Sequence, residues 1–177
     1  MLKAAKLIDE RIGGLQFVIA KSGQVDSDIY MRIINGFKLD LKIVEGKTYD
    51  CLNAASFCLV ASGTATLETA IMQKPFAIIY KMGLLNYLLY RPQVKLPYIG
   101  MVNIVAGKSI VPEFIQFRAT PERIATCVLN TLRNPAHAKR MSLALGQIKS
   151  LLGEKGASER AAKTVLDFLS GRLATAK

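Results

Sequence analysis

An apolar run that ends abruptly in small, hydroxyl-bearing residues constrains the fold of this 177-residue chain more than any other feature. Phe57 to Ala61 has the length and composition of a buried strand, and a helical pattern begins directly after Thr64. The link between them, Ser62-Gly63-Thr64, aims unpaired backbone N–H groups and the positive end of a helix dipole at one point. We therefore expect this turn to bind an anion, a phosphate above all. The alternative is a purely structural turn.

Strand-like and helical patterns alternate along the chain. Short runs rich in Val, Ile and Phe predict strands at residues 15–20, 40–44, 57–61 and 76–80. Apolar periodicity predicts helices at residues 2–12, 28–35, 48–55, 65–73, 121–133, 136–152 and 158–169. Strands that are apolar on both faces and alternate with helices predict an α/β fold, a doubly wound parallel sheet followed by a helical C-terminal segment. Ligands of such sheets bind at the carboxyl ends of strands, where the Ser62-Gly63-Thr64 turn falls.

Length and composition predict one globular domain over residues 1–177, because 51% of the residues are apolar. The first helical pattern follows no strand and has no capping residue, so the domain is expected to be truncated at its N-terminus. Residues 134–177 are expected to form a helical tail. No apolar stretch approaches the ~20 residues of a membrane-spanning helix, and charged residues interrupt the first positions. A cytoplasmic protein is therefore expected.

Positive charge is concentrated in one segment of this chain, whose formal net charge is +11. Residues 69–112 contain five basic residues, no Asp or Glu, and four of the six tyrosines. Such a segment suits an anionic ligand, an anionic membrane surface or a nucleic acid. The alternative is a solvated face whose charge is balanced by another polypeptide. Because no recognised nucleic-acid motif is present, a nucleic acid is not the expected partner.

Glu68 lies one turn into the helix that follows the turn, on the same face as Thr64. It does not form a capping box, because Ala65, three residues earlier, has no side-chain oxygen. A carboxylate in this place can accept hydrogen bonds from the two hydroxyls of a ribose. The alternative is the favourable placement of a negative charge near a helix N-terminus.

Three more polar residues lie where ligands bind such sheets. Tyr80 and Lys81 end the next strand, although a strand-end tyrosine also packs with its hydroxyl in water. Asn103 lies in an apolar stretch with two glycines that predicts a shaped loop, in which the amide either meets a ligand or ties the loop to its own backbone. The chain has no Ser/His/Asp arrangement, metal-ligand cluster or GxGxxG motif, and its three cysteines are expected to be reduced.

Together these segments resemble the lipid-A-disaccharide synthase family. The resemblance is carried, in order over residues 57–120, by Ala61-Ser-Gly-Thr-Ala-Thr-Leu-Glu68, Tyr80-Lys81, Pro97-Tyr98, Asn103-Ile-Val-Ala-Gly107, Val111-Pro-Glu113 and Gln116. It implies the C-terminal, sugar-nucleotide-binding half of a GT-B glycosyltransferase, with a Rossmann-like fold. The family transfers 2,3-diacylglucosamine from UDP to 2,3-diacylglucosamine 1-phosphate in lipid A biosynthesis, using no metal and no other cofactor.

The resemblance also implies the roles of individual residues. The diphosphate is expected at Ser62, Gly63 and Thr64, the ribose at Glu68, and the nucleotide-sugar pocket at Asn103, with Tyr80 and Lys81 as weaker candidates. The catalytic base is expected in the family's N-terminal domain, which this sequence lacks together with a Pro-Gly-Ser-Arg-like turn. Residues 1–177 alone are therefore expected to bind nucleotide and to be inactive.

The partners implied by the resemblance are the two acylated sugars and an N-terminal glycosyltransferase domain. Because the last helices of the family exchange between protomers, residues 136–169 are a candidate dimerisation element. The family also implies a peripheral contact with the anionic inner membrane of a Gram-negative-type bacterium. Two alternatives stay open, another UDP-sugar GT-B enzyme such as one making a peptidoglycan precursor, and a non-enzymatic basic module that binds nucleic acid or an anionic membrane. Residues 97–113 favour the lipid A enzyme over the first of these.

Overall fold

Parallel strands alternate with helices in the computed structural model of the chain, which describes residues 1–90, 96–154 and 156–170. The elements in the first half are α1 Leu2–Ile12, β1 Phe17–Lys21, α2 Ser27–Ile34, β2 Leu41–Glu45, α3 Thr48–Ala54, β3 Cys58–Ala61, α4 Ala65–Ile71 and β4 Phe76–Tyr80. The second half contains α5 Leu84–Tyr90, α6 Met101–Ala106, β5 Glu113–Ile115, a 3-10 turn Gln116–Arg118, α7 Pro121–Leu132, α8 Pro135–Gly146, α9 Ile148–Leu151 and α10 Ala157–Leu169. Among the described helices, none is long and apolar enough to cross a membrane.

All strand pairs are parallel, as the sequence predicts. β1 pairs with β2 from Phe17↔Leu41 to Lys21↔Glu45. β3, β4 and β5 form a second group in that order, with Ala61 opposite Ile79 and Tyr80 opposite Ile115. Among the described strands, β1, β2, β3 and β5 each keep one edge unpaired. The carboxyl ends of β3, β4 and β5 therefore lie at one edge of their group.

Helices cover both faces of the β3–β5 group, which confirms the doubly wound fold class. On one face, Val60 and Ile78 join a buried cluster with α6, α8 and α9. Their neighbours along the strands, Leu59 and Ile79, point to the other face and pack against the cluster made by α1 and α7. Because successive strand residues alternate between faces, a strand buried on both sides must be apolar throughout, and this is the signal that its sequence carries.

The sequence predicts a loop where the structure has α6, and it predicts neither α5 nor β5. Gly100 is the N-cap residue of α6, and a Cβ added there would collide with Cδ1 of Ile78. β5 has only three residues, so its alternation is too short to detect. The shaped-loop prediction is thus wrong for residues 101–106, because long-range contacts decide their conformation.

The helix predicted at residues 136–152 is two helices in the structure, α8 and α9. Leu145 and Ile148, on either side of the break after Gly146, are both fully buried in the same cluster. Some sequence predictions fall outside the described residues. These are the basic residues Arg91 and Lys95 and, within the predicted helical tail, positions 155 and 171–177.

Candidate functional site

The predicted binding residues are distributed around the carboxyl edge of β3, β4 and β5. Ser62 follows β3, and its N–H donates to the Ile79 carbonyl in β4 at 3.1 Å. The Ser62 hydroxyl donates to the Ile99 carbonyl at 3.4 Å, a weak bond that nevertheless places the segment before α6 against the turn. Lys81 and Gln116 follow β4 and β5 at the same edge. Four segments distant in sequence thus meet where α/β sheets bind ligands.

The turn after β3 leaves backbone donors unused. Among the described residues, the N–H groups of Gly63, Thr64 and Ala65 donate to no acceptor. Thr66 stiffens the turn, because its N–H and its hydroxyl both donate to the Gly63 carbonyl, at 3.1 and 2.7 Å. Gly63 has φ +156°, a conformation that residues with a side chain rarely adopt. The turn therefore presents a rigid row of donors with no side chain at its centre.

Glu68 is half-buried one turn into α4. Within the described part of the chain its carboxylate forms no hydrogen bond and no ion pair, whereas its backbone N–H donates to the Thr64 carbonyl at 3.3 Å. Thr64 is the N-cap residue of α4, and its hydroxyl accepts no hydrogen bond from the N–H groups of that helix. Glu68 and Thr64 consequently leave a carboxylate and a hydroxyl available on one face, one helical turn apart.

Tyr80 is half-buried and Lys81 is exposed at the end of β4. Burial lowers the pKa of the Met1 amino group, and the positive charge of Lys81 lowers it further, to a smaller extent. A positive charge thus accompanies the unused donors at this edge, which suits an anionic ligand.

Asn103 is fully buried, and its side chain is committed to the chain itself. Its Nδ2 donates to the Val111 carbonyl at 2.9 Å and to Oε1 of Glu113 at 2.8 Å. Its Oδ1 accepts from the N–H groups of Ile110 at 2.8 Å and Val111 at 3.1 Å. An amide makes four such bonds at most in this setting, so these contacts correspond to the alternative in which Asn103 ties the segment to its own backbone. A direct contact with a ligand stays a prediction.

Glu113 holds the start of α6 from the neighbouring strand β5. Its carboxylate accepts from the N–H of Ile99 and the N–H of Gly100, both at 2.9 Å, in addition to Asn103. Charge-assisted bonds of this kind are about twice as strong as neutral ones. Glu113 therefore fixes the segment that lies against Ser62.

Gln116 holds the segment after β4 in a similar way. Its Nε2 donates to the Met82 carbonyl at 2.9 Å, and its Oε1 accepts from the Met82 N–H at 3.1 Å. The backbone of Gln116 has φ +47°, unusual for a residue with a side chain, and such strain persists only where surrounding contacts impose it. Gln116 thereby positions Lys81 and the start of α5.

Glu113 and Gln116 belong to the motifs that carry the family resemblance, but the sequence predicts no role for either side chain. The signal available was a single acid and a single amide next to an apolar strand, but their partners lie 13 and 34 residues away. No local pattern identifies such partners. The structure thus brings Ser62, the segment before α6 and Glu113 into contact, whereas Asn103 lies behind them in the core.

One cavity of the described chain lies away from these residues. An open groove of about 1240 Å³ runs between β5, α7 and α8, and it is lined by residues that include Arg118, Arg123, Arg133 and His137. None of the predicted binding residues lines it. We place the candidate site at the strand ends, because backbone donors and a carboxylate without partners among the described residues lie there, and none of these groups lines the groove. Over the described residues, no cluster of three or more His, Cys, Asp or Glu could hold a metal ion.

Comparisons with known proteins agree with the motifs. A family model described as lipid-A-disaccharide synthetase matches residues 1–166. The lipid-A-disaccharide synthase of Syntrophus aciditrophicus (strain SB) is 40% identical over 171 residues, which are 96% of this chain and 44% of that protein. The synthases of Geobacter metallireducens and Myxococcus xanthus are 36% and 34% identical over 170 and 169 residues, with the same shares of each chain.

The chain spans less than half the length of these curated relatives, 44% in each case. The match covers the strand ends, the turn and the contacts around α6, so the family resemblance predicted from the motifs is confirmed. On this match, the chain belongs to the lipid-A-disaccharide synthase family.

Proposed function

We propose that this chain is the UDP-sugar-binding part of a hexosyltransferase that transfers 2,3-diacylglucosamine from UDP to 2,3-diacylglucosamine 1-phosphate. Its family membership supports the reaction class. The proposal depends on groups at the strand ends that have no hydrogen-bond partner among the described residues. These groups are the N–H groups of Gly63, Thr64 and Ala65 and the carboxylate of Glu68. Donors suit a diphosphate, and a carboxylate suits the hydroxyls of a ribose.

The turn would act mainly on the leaving group. As the bond between sugar and UDP breaks, negative charge grows on the diphosphate. N–H dipoles that are already fixed stabilise this charge without reorganising, and the hydroxyls of Ser62 and Thr64 add donors. Lys81 lies at the same edge and contributes positive charge, with Tyr80 beside it. Asn103 would act through Glu113, which holds the segment lying against Ser62.

The acceptor site and the base that activates the acceptor hydroxyl belong, in this proposal, to a separate N-terminal glycosyltransferase domain. The unpaired edges of β1 and β3 support such a partner, because exposed edges of apolar strands readily accept another strand. In a doubly wound sheet the first strand lies between the two halves, which here are β2–β1 and β3–β4–β5. Residues 1–177 would then form one domain that a preceding strand completes, and would bind UDP without completing the transfer alone.

The remaining features of the proposal follow from the resemblance to the family. The UDP-sugar is a substrate, and the reaction proceeds without a metal or another cofactor. Because both sugars carry acyl chains, the enzyme works in the cytoplasm at the surface of the inner membrane. The helices α8 to α10 are proposed as a homodimer contact, since α10 exposes Leu166 and Leu169 to more than 60%.

Calorimetric titration of UDP into the 177-residue chain tests the site. We expect saturable binding that weakens about tenfold in Glu68→Gln, since a neutral amide accepts hydrogen bonds from the ribose less strongly than a carboxylate. Because the Glu68 carboxylate forms no hydrogen bond or ion pair with the described residues, this substitution should leave the free energy of unfolding within about 0.5 kcal/mol of the wild-type value.

Glu122→Gln is the matched control, because Glu122 is also a glutamate in the first turn of a helix, α7. It should leave the affinity for UDP unchanged. Equal weakening by both substitutions would mean that the overall charge, rather than the turn after β3, determines binding, and would contradict the proposed site.

A further inference from the structure

Gln116 has a backbone conformation that its local structure does not explain. Its φ is +47°, and among the described residues other than glycine only Gln73 shares a positive φ. Gln73 follows the end of α4, where a left-handed residue commonly terminates a helix. Gln116 instead follows the strand β5 and begins the 3-10 turn, so the end of a helix does not account for its conformation. Such strain persists only where other contacts impose it.

The side chain of Gln116 supplies such contacts. It is buried, and its amide exchanges two hydrogen bonds with the backbone of Met82, at 2.9 Å to the carbonyl and 3.1 Å from the N–H. The last backbone pair of the two strands is Tyr80 with Ile115, so the amide bonds to the chain two residues beyond the end of β4. An amide offers one donor side and one acceptor side, as a strand backbone does. The Gln116 side chain therefore holds this segment in place of a neighbouring strand, while its own backbone turns away.

Lys81 lies between the two attached residues. Tyr80 is held by the strand pair and Met82 by the Gln116 amide, so the backbone on both sides of Lys81 is fixed. The turn after β3 is hydrogen-bonded to β4 at the same edge. Within the described residues the exposed Lys81 ammonium forms no ion pair. A cation on a fixed backbone loses less conformational entropy when it binds an anion than one on an unattached segment.

We propose that Gln116 is a positioning residue for nucleotide binding, which holds Lys81 where its positive charge meets the diphosphate of UDP. That the anion is UDP rests on the proposed function, whereas the positioning rests on the two bonds to Met82. Because Gln116 acts through the backbone next to Lys81, its removal should weaken UDP binding only while residue 81 carries a charge. A charge fixed in this way also stabilises the negative charge that grows on a departing diphosphate.

A double-mutant cycle of Lys81→Gln and Gln116→Met in the 177-residue chain, measured by calorimetric titration of UDP, tests the positioning. Gln116→Met keeps the length of the side chain and removes both hydrogen bonds. We expect Lys81→Gln to weaken UDP binding about fivefold. Gln116→Met should weaken it about fourfold in the wild-type background and less than about 1.5-fold in the Lys81→Gln background. Equal weakening in both backgrounds, or an affinity that Lys81→Gln does not change, would overturn the proposal.

Gln73→Met is the matched control, because Gln73 is also a glutamine with a positive φ but is exposed, and its amide forms no hydrogen bond with the described residues. It should change the affinity for UDP less than about twofold. Gln116→Gly separates the hydrogen bonds from the backbone strain, because glycine adopts a positive φ freely. It should weaken UDP binding as much as Gln116→Met while lowering the urea midpoint less. A Gln116→Gly chain with wild-type affinity would show that the amide is not needed, and would overturn the proposal.

Hydrogen exchange without nucleotide gives a second readout. The Met82 N–H should exchange at least about tenfold faster in Gln116→Met than in the wild-type chain, whereas the Ile78 N–H, which donates to the Pro112 carbonyl, should keep its rate. An unchanged rate at Met82 would overturn the positioning. A wild-type chain that does not bind UDP would contradict the proposed function and the positioning together. UDP binding that Gln116→Met weakens equally in both backgrounds would remove the positioning alone.

Discussion

At the scale of single residues, burial distinguishes two polar side chains, Glu68 and Asn103, that the sequence predicts equally as binding residues. Glu68 and Asn103 both interrupt apolar runs, so the sequence marks both as candidates. In the structure Glu68 has an unpaired carboxylate within the described chain, whereas Asn103 is 0% exposed and fully hydrogen-bonded. A ligand can therefore use Glu68 directly, while Asn103 supports the shape around it.

Two half-buried cysteines, Cys58 and Cys127, make the stability of the folded chain depend on pH. Burial raises the pKa of Cys58 to about 11 from 9.0, although nearby Lys74 opposes the shift, and burial alone raises that of Cys127 to about 11. Both thiols stay protonated in the folded chain while they ionise in the unfolded chain above pH 9. Their stabilising contribution is therefore complete below pH 9 and is lost as the pH rises towards 11.

We expect urea denaturation to show a free energy of unfolding that falls between pH 9 and pH 11, by about 2 kcal/mol through Cys58. The contribution of Cys127 is smaller, because that thiol is more exposed to solvent. In Cys58→Ala the decline over this pH range should be shallower than in the wild-type chain. The same decline in both proteins would show that burial of Cys58 does not control it.

At the scale of elements, the start of α6 depends on contacts that no local pattern reveals. Helical periodicity predicts the bounds of α1 and α7 to within one residue, because each helix has one apolar side. Continuous apolar runs predict β3 and β4 equally well, because these strands are buried on both faces. α6 and β5 are held by Asn103, Glu113 and the close approach of Gly100 to Ile78. A sequence shows the residue types in such a network but not which of them meet.

Replacing Asn103 tests how much this network stabilises α6. In Asn103→Leu the buried N–H of Val111 and the half-buried N–H of Ile110 lose their acceptor, and Glu113 loses a donor, while the volume stays similar. We expect the free energy of unfolding in urea to fall by about 2–4 kcal/mol. The exposed Asn130, changed to Leu, serves as the control and should shift it by less than about 0.5 kcal/mol. Equal shifts would contradict the role given to Asn103.

At the scale of the whole molecule, the sequence predicts the fold class and the position of the candidate site. Alternation of apolar strands with helices suffices for a parallel sheet covered on both faces, and the turn after β3 falls at its carboxyl edge as expected. The sequence does not show that the strands separate into two groups, since that depends on which edges find partners. Periodicity also does not predict that the leucines of α5 are exposed, because a periodic apolar pattern is interpreted as the side of a helix that faces the core.

The proposed function requires the diphosphate of UDP to bind at the turn between β3 and α4. Titration of UDP into the ¹⁵N-labelled chain, followed by amide chemical shifts, measures this location directly. We predict that the amide signals of Gly63, Thr64 and Ala65 move most, with smaller changes at Ile99 and Gly100. If saturating UDP leaves the amide signals of the turn unchanged, or shifts those of the groove between α7 and α8 instead, the proposed binding at the turn is contradicted.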